Sequence, residues 1–227
     1  MQKAHREAHL SALYIQPTIQ NPLGMTMPPA RRADLLRVIE KLDLTVIEDT
    51  VYGFLDEETA AGRARARSAA SCSTACRRRL RPDWRSASSF RRRACARASW
   101  PRFDRADGPP RDYAFAAGQR LMADGTVAEL SRLKRIDAAR RQQMAAKYLA
   151  GFEVQANPKS YHLWLTLPPH WRSQTFVAAA ARRDIALTPS TTFAVTPGHA
   201  PNAVRLALGA PTIDQLDLAS AHSWRGC

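Results

Sequence analysis

At 227 residues and 45% hydrophobic content, the chain has the means to build one large or two small globular domains. No apolar run approaches the roughly 20 residues that span a bilayer, and the start, Met-Gln-Lys-Ala-His-Arg, lacks the apolar stretch of a secretory signal, so a cytoplasmic protein without a membrane partner is expected. The net charge of +14 would suggest a polyanion partner, but residues 61–111 hold 15 Arg and no Lys against Asp83, Asp104 and Asp107, and the remainder is close to neutral.

The first predicted element is a short strand over residues 12–16, which runs into Pro17 and the turn-forming Asn21-Pro22-Leu23-Gly24. After Pro28 and Pro29, the helical spacing of Leu35, Leu36, Val38, Ile39 and Leu42 predicts an amphipathic helix over residues 30–41. Residues 44–47, Leu-Thr-Val-Ile, then read as a buried strand of the parallel-sheet kind, ending at Glu48-Asp49-Thr50-Val51-Tyr52-Gly53. Strand, loop, helix and strand make a βαβ unit, with a polar cluster at the carboxyl end of each strand, where ligands bind in such sheets.

Residues 61–111 break these patterns. They hold a single Leu, no Ile or Val, and a surfeit of Arg, Ala and Ser, which predicts a poorly ordered segment. Three of the four cysteines, Cys72, Cys76 and Cys95, lie there and Cys227 ends the chain. Cys72 and Cys76 resemble half a zinc site, but no second close pair accompanies them, so no metal is expected.

Ordinary composition resumes at about residue 112 with a long helical region to residue 150, whose intermittent apolar face is Leu121, Met122, Val127, Leu130, Leu133, Ile136, Met144 and Leu149; Gly151 is placed to end it. Strand-like residues 152–155, 161–167, 185–187 and 203–208, with a helix around residues 173–183, make a small α+β domain. His162 and Trp164 lie in one of these strands and read as core residues.

The segment Tyr14-Ile-Gln-Pro-Thr-Ile-Gln-Asn-Pro-Leu-Gly24, followed by Met27, Arg31-Arg32, Leu35-Leu36 and Ile47-Glu48-Asp49-x-x-Tyr52, resembles the core of pyridoxal phosphate (PLP) dependent, fold-type I aminotransferases. It is most similar to the aminotransferase-like domain of MocR-type GntR regulators and to aminoadipate-type transaminases, over residues 8–58 and 112–218. The resemblance implies an α/β chain with part of that transferase fold: a remnant of the large parallel-sheet domain in residues 1–60 and the small C-terminal domain in residues 151–227, joined through the helical region 112–150.

Each matched position has a chemical reason. Asp49 matches the carboxylate that pairs with the pyridine nitrogen and keeps the ring an electron sink. Asn21 and Tyr52 match the residues that hydrogen-bond the cofactor's phenolic oxygen. Arg205 matches the arginine that grips the substrate carboxylate, where a planar two-pronged donor serves better than Lys. Taken singly, Asp49 reads as a cap and Arg205 as a solvated edge residue; their joint order and spacing favour the site. The implied partners are amino acids and 2-oxo acids, a second copy in a homodimer, and DNA only through an N-terminal winged-helix domain that regulators of this type carry and residues 1–227 do not.

The family's Schiff-base lysine, which follows the aspartate in a Ser-x-Ser-Lys stretch before Ala-Pro-Gly, has no counterpart, because no Lys occurs between Lys41 and Lys134. No catalytic residue is therefore assigned. Read one nucleotide earlier from the single codon of Trp84, the stretch from Arg81 to Ser89 permits Ala-Pro-Gly-Leu, and Thr74 to Arg78 permits Ser-Leu-Ser-Lys. Residues 61–111, and residues 219–227 where the last helical pattern breaks, thus read as out of frame, and amino-group transfer as lost.

Overall fold

The computed structural model describes residues 2–10, 12–56, 70–75, 87–90, 112–196 and 198–217. The chain divides into two units: Met1–Thr18 with Thr26–Lys134, and Ile19–Met25 with Arg135–Cys227.

The first unit begins with helix α1 (Gln2–Glu7) and strand β1 (Ala12–Ile15). Helix α2 (Pro29–Lys41) starts with extended Pro28 before it and Pro29 in its first turn, where a missing N–H is harmless. Strand β2 (Thr45–Asp49) follows and pairs in parallel with β1 from Ala12↔Thr45 to Ile15↔Glu48. Ile39, Leu44 and Val46 are buried, with Leu13, Ile15, Leu35 and Leu36 packed against them. Buried Glu48 is held by Arg32 of α2, whose Nη2 donates at 2.6 Å. β2 is not the continuously buried strand the sequence suggests: Val46 and Glu48 are buried, whereas Ile47 is 41% exposed. Its second face carries Ile47 beside Tyr14, its register partner.

Strands β3 (Ala70–Ala75) and β4 (Ala87–Phe90) complete the order β1-β2-β3-β4, β3 parallel to β2 and β4 antiparallel to β3. Both fall inside residues 61–111, the segment that the sequence predicts to be poorly ordered. Ladder pairing uses backbone groups alone, and a run such as Ala-Ser-Cys-Ser-Thr-Ala has no side chain that opposes it. The rest of that segment, and residues 218–227, lie outside the described residues.

The expected long helix is two, α3 (Asp112–Ala123) and α4 (Thr126–Tyr148). They part at Asp124, whose Oδ1 accepts the Thr126 N–H at 3.0 Å, and at Gly125, with φ +85°. The proposed apolar face is only partly right. Val127 and Leu149 are buried, but Met122, Leu133 and Ile136 are 49%, 46% and 56% exposed. Ser131, Ala138, Arg141, Gln142 and Ala145 take up buried positions on α4 instead.

In the second unit, β5 (Val154–Ala156), β6 (His162–Thr166), β7 (Thr188–Pro189) and β8 (Ala203–Ala207) form an antiparallel sheet in the order β5-β6-β8-β7. Helix α5 (Ser173–Ala181) precedes β7, which starts one residue after the predicted Ile185-Ala-Leu stretch. Leu163, Leu165, Val204 and Leu206 alternate onto one face and pack with Ala145, Leu149 and Phe176. Arg141 is built into this unit: its Nε donates to Asp137 and its Nη1 to the carbonyls of Leu208 and Pro211, at 2.6 and 2.7 Å. Among the described residues no helix is long and apolar enough to cross a membrane.

Candidate functional site

In the first unit the site is built at the end of β2. Asp49 is the last residue of the strand, and its Oδ1 accepts the Val51 N–H at 2.9 Å, a side-chain turn that fixes the carboxylate as the chain leaves the sheet. Its Oδ2 accepts from the Tyr14 hydroxyl at 2.7 Å and from Gln16 Nε2 at 3.3 Å. Partial desolvation, with Asp49's hydrogen bond and negative charge beside it, pushes the Tyr14 phenol up to about 12. Tyr52 is buried at the start of a 3-10 turn, Gly53–Leu55. Thus Asp49 and Tyr52 lie together at one strand end. The spacing indicated that much, but Tyr14 and Gln16 as donors to Asp49 were not read from it. The signal available was their two-residue spacing, Tyr14 on β1 and Gln16 just past its end, which sets both beside the same face of β2.

In the second unit the residues Ile19–Met25 form a tight loop. The Gln20 N–H donates to the Met25 carbonyl at 2.8 Å and the Gly24 N–H to the Gln20 carbonyl at 2.6 Å. Gly24 has φ +70°, and a Cβ there would meet Asn157 N at 3.3 Å, so glycine is required on both counts. The Gln20 carbonyl lies 3.1 Å from Nε2 of His162, and His162 and Trp164 are both buried.

This loop presents Asn21, whose Oδ1 accepts Arg205 Nη1 at 3.1 Å. Asn21 and Arg205, read from the sequence as separate ligand contacts, are therefore brought together. Arg205 stands on β8 between Trp164 of β6 and Thr188 of β7, its register partners. Its Nη2 donates to Thr188 Oγ1 at 3.0 Å, and its Cζ lies 5.3 Å from the centre of the Phe193 ring. Nε of Arg205 is buried with no hydrogen-bond partner among the described residues. Thr188 and Phe193 were missed, because a two-residue strand carries no periodic signal.

Among the described residues no three His, Cys, Asp or Glu side chains group as metal ligands; Cys76, Cys95 and Cys227 lie outside them. Arg77 and Arg78, where the shifted frame would supply lysine, also lie outside them.

No protein-family model matches the chain. The chain is similar to an uncharacterized aminotransferase of Saccharolobus solfataricus, 37% identical over 60 residues, which cover 24% of this chain and 15% of that protein. It is 27% identical over 205 residues to YdcR of Escherichia coli, an uncharacterized HTH-type transcriptional regulator; the match covers 85% of this chain and 43% of the regulator. Among solved structures, the kynurenine aminotransferase of Pyrococcus horikoshii superposes with a TM-score of 0.84 at 19% identity, over 99% of this chain and 58% of that one. LysN, the alpha-aminoadipate aminotransferase of Thermus thermophilus, gives 0.80 at 20% identity, over 99% and 61%. The chain thus has the α/β fold of these fold-type I aminotransferases, and spans less than two thirds of the length of the proteins it matches.

Proposed function

We propose that this chain is a PLP-binding, aminotransferase-like domain that recognises the carboxylate of an amino acid or 2-oxo acid and does not itself transfer the amino group. The hydrogen bond from Arg205 to Asn21 carries this reading. It joins two residues 184 positions apart, one suited to a cofactor oxygen and the other to a substrate carboxylate, and holds the guanidinium through a terminal nitrogen.

The donor set fits the cofactor in part. Asp49 at the strand end and buried Tyr52 suit a pyridine nitrogen and a phenolic oxygen, and when bound the ring would supply an electron sink. The covalent anchor does not fit: the sequence has no lysine between Lys41 and Lys134. In the first unit Asp49 and Tyr52 would hold the cofactor by hydrogen bonds alone.

The test is to incubate the chain with PLP, reduce with borohydride and map the peptides. No stoichiometric phosphopyridoxyl-lysine is expected, whereas a version corrected to the neighbouring reading frame and extended with its upstream sequence should form one. A stoichiometric lysine adduct on the present chain, lost in Asp49→Ala, would overturn the proposal.

The 205-residue match to a transcriptional regulator favours a second reading, in which this domain senses an amino acid for a DNA-binding partner domain. A winged-helix pattern encoded upstream of Met1 decides for it, and further strands of the aminotransferase sheet decide against it.

A further inference from the structure

We propose that Thr188 and Phe193 are positioning residues that lock the Arg205 guanidinium into one orientation, so that it receives a planar monocarboxylate end-on through its two terminal nitrogens. This rests on the reading of Arg205 as the carboxylate-binding residue.

The lock follows from the sheet. Directly opposed residues of neighbouring strands point to the same face, so Trp164, Arg205 and Thr188 form one row across β6, β8 and β7. The opposite face belongs to Leu163, Leu165, Val204 and Leu206. A guanidinium on this row has a hydroxyl acceptor on one side and an indole on the other. Thr188 Oγ1 takes Nη2 at 3.0 Å, and Asn21 Oδ1, from the Ile19–Met25 loop, takes Nη1 at 3.1 Å. Two acceptors on two different nitrogens oppose rotation about Nε–Cζ more strongly than one, because a turn about that bond must break both hydrogen bonds.

Phe193 supplies the third constraint. Its ring lies 5.3 Å from Cζ of Arg205, and Trp164 meets that ring in an edge-on contact at 6.0 Å and 69°. The aromatic face attracts the cation and fixes the plane in which it lies. Phe193 ends the 3-10 turn that follows β7, so the short strand brings both constraints to one place.

What remains available defines the ligand. A guanidinium carries five N–H groups, and Asn21 and Thr188 use two of them. Nε is sealed from solvent, so a ligand cannot approach from the side, and among the described residues one N–H on each terminal nitrogen is left. Two parallel donors in a fixed plane match the two oxygens of a carboxylate. A side chain free to turn would lose part of its binding free energy to ordering on each encounter.

The experiment uses the full chain labelled with 15N-arginine and pyruvate as the probe, with inorganic phosphate as comparator. NMR reports Nε–Cζ rotation of Arg205, assigned by loss of its signals in Arg205→Lys, and the pyruvate titration gives Kd. In the unmodified chain the terminal N–H signals should be resolved, and pyruvate should shift them far more than it shifts Nε–H. Thr188→Val should accelerate rotation and weaken pyruvate binding by about tenfold, the weight of one hydrogen bond to a charged group. Thr188→Ser should restore both. Phe193→Leu should act in the same direction and Phe193→Tyr should not, which keeps the test decisive if the valine variant fails to fold. Unchanged rotation and Kd in Thr188→Val and Phe193→Leu, with binding lost in Arg205→Lys, overturn the lock and leave the carboxylate reading intact. No Arg205-dependent pyruvate binding, or phosphate bound as well as pyruvate, overturns both.

Discussion

The two sheets of this chain differ in how they bury a helix-facing side. In the second unit Leu163, Leu165, Val204, Leu206 and Leu208 are at most 9% exposed, and Arg141 satisfies two backbone carbonyls at the edge of the core. In the first, Ile39, Leu44 and Val46 form a smaller buried set whose neighbours are only partly covered, and Ile47 and Tyr14 on the other face are 41% and 63% exposed. A parallel sheet is usually covered on both faces. The comparison teaches that a strand-end site can be placed by local turn chemistry, as at Asp49, where the surrounding core is thin. A site spread over several strands, as at Arg205, stands on a fuller core.

The sharpest test is the same truncation made in each core. Leu165→Ala, at a side chain 1% exposed, should cost about 4 kcal/mol, near the upper part of the usual range, because its neighbours are held by the sheet and cannot collapse into the space. Leu44→Ala, at 4% exposed, should cost about 2 kcal/mol, since partly covered Leu35, Leu36 and Leu42 can close over the gap. Urea unfolding followed by circular dichroism measures both. Equal costs would show that the first unit is packed as firmly as the second.

Much of this contrast was hidden in the sequence, for physical reasons. The βαβ order of β1, α2 and β2 is legible because proline, helical spacing and a β-branched run each have a local cause. The pairing of Asn21 with Arg205 follows from no local pattern; only a resemblance named both residues, and it did not say that they touch. Arg141 and Gln142 carry no local signal of burial, because a polar residue on a helix is normally outward, yet Gln142 Nε2 donates to the Ser160 and His162 carbonyls at 3.0 and 3.1 Å. Met122, Leu133 and Ile136 read as core on the same logic inverted.

A middle-sized effect should come from the loop that carries Asn21. Gly24→Ala forces a side chain onto φ +70° and into contact with Asn157 N at 3.3 Å, so a loss of about 1–2 kcal/mol is expected. Thermal unfolding measures it, and the Arg205 N–H signals should move with it, since Asn21 rides on the same loop. A neutral or stabilising Gly24→Ala would mean that the loop is not held by the sheet it packs against.

The smallest effect belongs to the strand end of the first unit. Desolvation and then the Asp49 contact raise the Tyr14 phenol from the usual 10.0 to about 12, so the folded chain keeps a proton that the unfolded chain has lost. The stabilisation is whole below pH 10 and fades as the pH climbs through about 12; it does not return at higher pH. Tyr14 is 63% exposed, which lets water screen most of the interaction, and the stability change should be well under about 1 kcal/mol. Ultraviolet titration of phenolate absorption, compared between the unmodified chain and Tyr14→Phe, isolates this group. A late-ionising tyrosine missing from the variant would show that Asp49 is gripped by its strand neighbour as well as by its own turn. Ionisation of Tyr14 near 10 would reduce that grip to a surface contact, and among the described residues the Asp49 carboxylate would then owe its placement to the Val51 N–H and Gln16.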